Sequence, residues 1–264
     1  MKKYAQNTKG SLVCKAVDLL RNSEHAVVFT GAGISTPSGI PDFRSQETGL
    51  WYRFDPMQTA SLSIFYKHPE RFYAWLKPLA KKIWQAEPND THTALAKLEK
   101  MGVVKAIITQ NIDRLHQKAG SKHVIELHGG MEKLICLKCG KYYDTDSFIE
   151  DLFKNNALPT CEKCQYILKP DIVLFEELLP EKAWIQADSL CCKSDLLIVI
   201  GSSLEVMPAS GLPLIAIEHR AKLIINNLSA TPMDRYADLL LPFPSEEIIP
   251  KIERGLIEPL TKEL

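Results

Sequence analysis

Five short apolar runs constrain the architecture of this chain more than any other feature. They lie at 26–30, 103–109, 124–127, 196–200 and 222–226, and most are rich in Val and Ile without polar alternation. Consecutive apolar positions belong to strands covered on both faces, as in a parallel sheet. Helical patterns fall between the runs. Residues 11–21 carry apolar side chains at 12, 13, 16, 17, 19 and 20. Residues 92–100 follow a cap expected at Asp90 or Thr91 and stop at Gly102, and 180–187 and 208–217 are further candidates. Strands alternating with helices predict an open α/β sheet with helices on both faces.

Two stretches break that rhythm. Residues 46–86 carry many aromatics, among them Trp51, Phe65, Phe72, Trp75 and Trp84, and read as a helical insertion. Residues 131–168 carry two Cys-x-x-Cys pairs, Cys136 with Cys139 and Cys161 with Cys164, with 21 residues between them. That spacing suits tetrahedral zinc. Four thiolates complete the coordination sphere, so the expected metal is structural and leaves no open position for chemistry. Cys14, Cys191 and Cys192 are expected to pack as small apolar side chains.

Every apolar run ends in a polar or glycine-rich cluster. The run 26–30 leads into Gly31-Ala32-Gly33-Ile34-Ser35-Thr36, where backbone N–H groups could approach a pyrophosphate closely. A lone Gly-x-Gly also marks ordinary tight turns, and the third glycine of the dinucleotide fingerprint is missing, so spacing alone leaves nucleotide binding open. Gln110-Asn111-Ile112-Asp113, His128-Gly129-Gly130, Gly201-Ser202-Ser203 and Asn226-Asn227 close the other runs. Ligands of open α/β sheets sit outside the carboxyl ends of the strands, so these clusters predict one shared crevice. Turn and cap chemistry accounts equally well for Gly201 and Ser202, but less well for Gln110 to Asp113 and for His128.

Charge narrows the function classes. Lys plus Arg number 32 and Asp plus Glu 32, a net charge of zero that argues against direct nucleic-acid binding. Apolar residues make up 45%, enough for a sizeable core without staples. The first twelve residues are polar and no apolar run is long enough to span a bilayer, so a cytoplasmic protein without a membrane partner is expected. A monomer is expected.

Together these segments resemble the sirtuin family. The resemblance rests on Gly31 through Arg44, on Thr109-Gln110-Asn111-Ile112-Asp113-Arg114-Leu115-His116, on Leu127-His128-Gly129, on the four cysteines, on Gly201-Ser202-Ser203-Leu204 and on Asn227. It runs over about 11–252 and looks like a compact microbial-type member. It implies a Rossmann-like NAD-binding domain at 1–45, 87–130 and 169–264, with a smaller domain made of the helical insertion 46–86 and the zinc module 131–168.

The resemblance also implies roles. Ala32, Gly33 and Thr36 would hold the pyrophosphate, with Arg44 near the phosphates. Phe43, Ile112 and Asp113 would form the nicotinamide pocket, and Gln110 and Asn111 would bind the ribose. Gly201, Ser202, Ser203, Asn227 and Leu228 would line the phosphate and adenosine side. His128 would be the general base, with Asn111 beside it as the second catalytic residue. Acetylated lysine of a protein or peptide would bind as an added strand between 173–177 and 203–206, touching Val173, Phe175, Leu204 and Val206. NAD would be consumed, giving nicotinamide and O-acetyl-ADP-ribose. One departure from the resemblance stands out: the family usually has glycine after this phenylalanine, and this chain has Glu176. A nicotinamide-dependent dehydrogenase, a non-enzymatic zinc-ribbon module and mono-ADP-ribosyl transfer are the rival readings.

Overall fold

A computed structural model describes residues 8–44, 49–154 and 157–257. The start of the expected helical insertion, residues 46–48, lies outside the described residues. The strands among the described residues are β1 (Ala26–Thr30), β2 (Val104–Thr109), β3 (Val124–Glu126), β4 (Gly129–Ile135), β5 (Tyr142–Asp144), β6 (Lys169–Ile172), β7 (Leu196–Ile200), β8 (Lys222–Asn226) and β9 (Leu239–Leu240). Six of them form one sheet in the order β3-β2-β1-β7-β8-β9, with every pairing parallel. All five residues of β1 and of β7 are buried, which is why their sequences show no alternation.

Helices cover both faces. Lys9–Arg21, Asp90–Lys100 and Ser245–Ile257 pack on one side through Leu12, Val17, Leu95, Leu98, Ile248 and Ile252. Glu181–Lys193 and Leu212–Glu218 pack on the other through Ala187, Cys191, Leu212 and Ala216. The chain leaves β1 toward β2 and β3 on one side, then returns to β7 on the other. The strand order therefore reverses between β1 and β7, and at such a switch point open α/β sheets take their ligands.

The remaining strands form a small antiparallel sheet, β5-β4-β6. Residues 169–172, expected with the main sheet, hydrogen-bond instead as β6 to β4. The aromatic insertion is helical, at Leu50–Arg53, Pro56–Thr59, Leu62–Lys67 and Pro69–Gln85. Its Phe65, Phe72, Leu76 and Leu79 share one apolar cluster with Leu115 after β2, with Met131 of β4 and with Ile172 and Leu174 around β6. Both insertions are thus anchored to the main sheet by common burial.

Some local expectations need correction. The cap before the helix Asp90–Lys100 is Asn89, not Asp90 or Thr91. Its carbonyl accepts from the Thr91 N–H at 3.0 Å while its amide donates to Ile34 O at 2.8 Å and Ser38 Oγ at 3.0 Å. Only an amide side chain can both accept and donate in this way. The segment 208–217 divides into a 3₁₀ turn, Ala209–Gly211, and the helix Leu212–Glu218. No helix among the described residues is long and apolar enough to cross a membrane.

Candidate active site

The carboxyl ends of β1 and β7 meet backbone to backbone. Gly31 N–H donates to Ile200 O at 3.1 Å and Gly33 N–H to Gly201 O at 2.8 Å. A Cβ on Gly33 would lie 2.8 Å from Gly201 Cα, and one on Gly201, at φ 63°, would lie 2.4 Å from Ile34 N. No side chain fits at either position. The glycine spacing therefore has a packing cause besides the phosphate approach expected from it. Thr36 is exposed, with its hydroxyl donating to Gly33 O at 3.0 Å.

The loop after β2 supplies a connected set of polar groups. Asn111 is buried and donates to Gly31 O and Ser35 Oγ, both at 3.1 Å. The Ser35 hydroxyl donates to Asp113 Oδ2 at 2.7 Å, and the Leu115 N–H to Asp113 Oδ1 at 2.9 Å. Burial pushes the Asp113 carboxyl above its ordinary range, opposed by these bonds. Gln110 donates to Ser202 Oγ at 2.8 Å, which ties the β2 end to the β7 end. Ala32, Gly33, Gln110, Asn111, Asp113, Gly201 and Ser202 are thereby drawn to one crevice. Ser203 and Asn227 are half-buried, and Leu228 is 70% exposed. Arg44 is turned to Glu205, with Nε 2.8 Å from its carboxylate, so its guanidinium faces the loop after β7.

His128 lies between β3 and β4, where the chain leaves the large sheet for the small one. Its Nδ1 is 2.8 Å from Gln110 O. A carbonyl only accepts, so Nδ1 carries the proton and Nε2 keeps a free lone pair. Burial lowers the pKa of His128 from 6.5, and the bond to Gln110 partly opposes this. The imidazole is therefore neutral near pH 7, with its basic nitrogen facing away from Gln110.

The segments expected to bracket the peptide have distinct environments. Val173 N–H donates to His128 O at 2.9 Å, so this segment starts at His128 itself. Phe175 packs edge-on against Trp51 at 5.8 Å, and Trp51 stacks on Phe43 at 5.0 Å and Trp75 at 5.8 Å. Phe43 and Phe175 thus share one aromatic cluster whose centre, Trp51, was not singled out from the sequence. Ile112 packs partly buried against the same insertion core. Leu204, at φ 55°, buries its side chain in the core with Val27 and Phe29, and Val206 is half-buried. Glu176 adopts φ 76° and its carboxylate accepts from the Ser63 N–H at 2.8 Å. Hydrogen bonds from the side chain and backbone of Ser63 hold that carboxyl below its usual range. A second unforeseen pair, buried Lys169 with Glu177 at 2.9 Å, braces the same turn.

The four cysteines converge. Their sulfurs all lie within 4.8 Å of one another, with Cys136 to Cys164 at 3.4 Å and Cys139 to Cys161 at 3.7 Å. A tetrahedron with metal–sulfur bonds of ~2.3 Å has edges of about 3.8 Å, so the donor set fits zinc. Each pair sits on the same kind of knuckle. Gly140 N–H returns to Cys136 O at 2.8 Å with φ 72°, and Gln165 N–H returns to Cys161 O at 2.8 Å with φ 57°. All four positions are filled by protein, and the cluster is built into the small sheet rather than the crevice.

The model of the Sir2 family matches residues 31–208. A curated relative, NAD-dependent protein deacylase 2 of Archaeoglobus fulgidus, is 48% identical over 239 residues, covering 90% of this chain and 93% of that protein. A solved structure concerned with the mechanism and regulation of Sir2 enzymes superposes with a TM-score of 0.88 at 46% identity, covering 93% of this chain and 98% of its own. A Sir2 protein solved with a p53 peptide and NAD+ gives a TM-score of 0.83 at 44% identity, covering 92% and 98%. On sequence, fold and the four-cysteine centre alike, this chain belongs to the Sir2 family, the sirtuins.

Proposed function

We propose that this protein removes acyl groups, mainly acetyl, from protein lysines while consuming NAD. The observation that carries the reading is His128, a neutral imidazole oriented by Gln110 O so that Nε2 is a free base at the switch-point crevice. The names of its relatives support it: NAD-dependent protein deacylase and deacetylase recur among proteins 42–48% identical to this chain.

In this mechanism the acyl oxygen of the bound lysine displaces nicotinamide from the glycosidic carbon, giving an alkylamidate. His128 then takes a proton from a ribose hydroxyl, and the 2′-oxygen attacks the amidate carbon. Loss of the lysine amine and addition of one water molecule from solvent then give free lysine and O-acyl-ADP-ribose, nicotinamide having left in the first step. Asn111, held by Gly31 O and Ser35, fixes the ribose side of the crevice, and Phe43, Ile112 and Asp113 enclose nicotinamide. Gly33, Thr36, Ser202, Ser203, Asn227 and Leu228 meet the phosphates and adenosine. The acyl-lysine enters beside Val173 and Phe175 and across from Leu204 and Val206, the last two through backbone and rim contact. The ranges 1–45, 87–130 and 169–264 serve as the NAD-binding unit except for β4's first residues, 129–130, and β6, 169–172, which pair in the small sheet and go with the covering modules 46–86 and 131–168. Zinc, when bound, holds the small sheet in shape and takes no part in bond making.

The test is incubation with NAD and an acetylated peptide, with products identified by mass spectrometry. Deacetylated peptide, nicotinamide and O-acetyl-ADP-ribose support the proposal. NADH absorbance would point to a dehydrogenase, and ADP-ribose left on protein would point to mono-ADP-ribosyl transfer as the main activity.

A further inference from the structure

Arg114 occupies a backbone conformation that disfavours it. Its φ is 63°, in the left-handed region where glycine is at ease and a side chain is not. Such strain persists only where the surrounding contacts over-determine it. The Arg114 guanidinium reaches two carboxylates: Nη1 lies 3.4 Å from Glu126 Oε2 and Nη2 lies 3.0 Å from Glu132 Oε1. Glu126 ends β3 in the large sheet and Glu132 belongs to β4 in the small one. Only Leu127 and His128 separate those two strands. The fork also lies along the chain at Gly130, where a Cβ would be 4.0 Å from Arg114 Cδ and 3.7 Å from the Glu126 carboxylate. Arg114 directly follows the loop whose Gln110 O receives the His128 ring proton.

We propose that Arg114 is a positioning residue for His128, its fork fixing the two strands that enter and leave the base. Gln110 orients the ring, and Arg114 fixes the backbone from which the ring projects. This rests on the assignment of His128 as base given above. A planar two-nitrogen fork can hold two carboxylates at set positions, and a lysine cannot.

The test compares Arg114→Gly, which frees the backbone and deletes the fork, with Arg114→Lys, which keeps the charge. Deacetylation is measured beside exchange of labelled nicotinamide into NAD, a reversal of the step that precedes His128. Arg114→Gly should stay folded and lower the deacetylation kcat about tenfold, since small misplacements at reacting groups are this costly. The KM values for NAD and peptide and the exchange rate should stay near wild type, and Arg114→Lys should fall between. Glu132→Gln, which leaves the backbone alone, should give a smaller loss in deacetylation only, and adding it to Arg114→Gly should cost nothing more. Equal losses in exchange and deacetylation would mean a general structural role and would overturn the proposal. If Arg114→Gly does not fold, Glu132→Gln decides: a selective loss supports the proposal and wild-type kinetics overturn it. His128→Ala separates the two levels. If it keeps wild-type deacetylation, the base assignment fails. If it is inactive while Arg114→Gly is unimpaired, only the role of Arg114 fails.

Discussion

Gly33→Ala tests whether the crevice depends on backbone contact between β1 and β7. The added Cβ would sit 2.8 Å from Gly201 Cα and 2.9 Å from Gly201 O, where ordinary contact begins at 3.4 Å. Something must move by about 0.6 Å, and the nearest atoms are backbone, not a flexible side chain tip. The same shift would stretch the Gly33 N–H to Gly201 O bond from 2.8 Å to about 3.4 Å, beyond the useful range. Overpacking of this kind costs roughly 1–3 kcal/mol, which lowers Tm by about 2–4 °C per kcal/mol in a protein of this size. The displaced loop carries the expected pyrophosphate contacts, so kcat/KM for NAD should fall about tenfold or more while peptide KM changes little. Gly39→Ala is the control. Its Cβ meets nothing within 4 Å although φ is 86°, so it should cost about 1 kcal/mol of stability and leave NAD kinetics alone. Wild-type Tm and NAD kinetics in Gly33→Ala would refute the packing account, and an equal NAD defect in Gly39→Ala would refute its locality.

Other consequences are equally open to measurement. His128→Ala should lose ~10²–10⁴ of the deacetylation rate while still binding NAD by calorimetry. Because burial lowers the pKa of His128, the base stays neutral as pH falls through 6.5, so the acid limb of kcat/KM should lie below that value; a limb centred above pH 7 would contradict the geometry. Cys136→Ala should aggregate or unfold, and metal analysis of the wild type should find one zinc per chain; a folded, active, zinc-free protein would remove the structural role. Acetyl-lysine should be turned over faster than succinyl-lysine on the same peptide. The helix Pro69–Gln85 buries Leu76 and Leu79 in one apolar cluster with Leu174, beside the proposed acyl-lysine segment, and a carboxylate there would go unpaired. Equal or faster succinyl turnover would overturn that expectation.

The parallel sheet was readable because burial on both faces leaves an unmistakable trace. β1, β2, β3, β7 and β8 fall on or within one residue of the five apolar runs. The small sheet left no such trace. β4 exposes Glu132 and Lys133 in succession and begins with two glycines, so neither alternation nor continuous apolarity marks it. β9 has only two residues, and the helix Ser245–Ile257 contains Pro250, which reads as a breaker. Candidate site residues stand out in the sequence where a polar group ends an apolar run, as at Asn111 and His128. Their partners do not. Gln110 and His128 are far apart in sequence, and nothing local says that a carbonyl of one strand end will fix the tautomer of a histidine on another. Trp51 was hidden among the other aromatics of its insertion, and only packing shows that it joins Phe43 to Phe175.

The departure at Glu176 takes its meaning from its four neighbours in the segment 173–177. Val173 is bonded to the carbonyl of His128. The Leu174 N–H donates to Glu177, whose carboxylate is held by Lys169 of the small sheet. Phe175 exchanges backbone bonds with Ala60 and Leu62 of the helical insertion, both at 3.0 Å. Glu176 continues that line by accepting from Ser63. Its side chain is thus spent on the helical insertion, where Lys67 also favours its charge, and not turned toward the reacting groups. The left-handed backbone that glycine would adopt freely is kept, and the carboxylate bond offsets its cost. The base strand, the small sheet and the helical insertion therefore converge on one short segment. A substitution in either insertion should act on the proposed acyl-lysine site through that segment without touching the substrate, which places Glu176 with the parts that shape the proposed site and not with the chemistry.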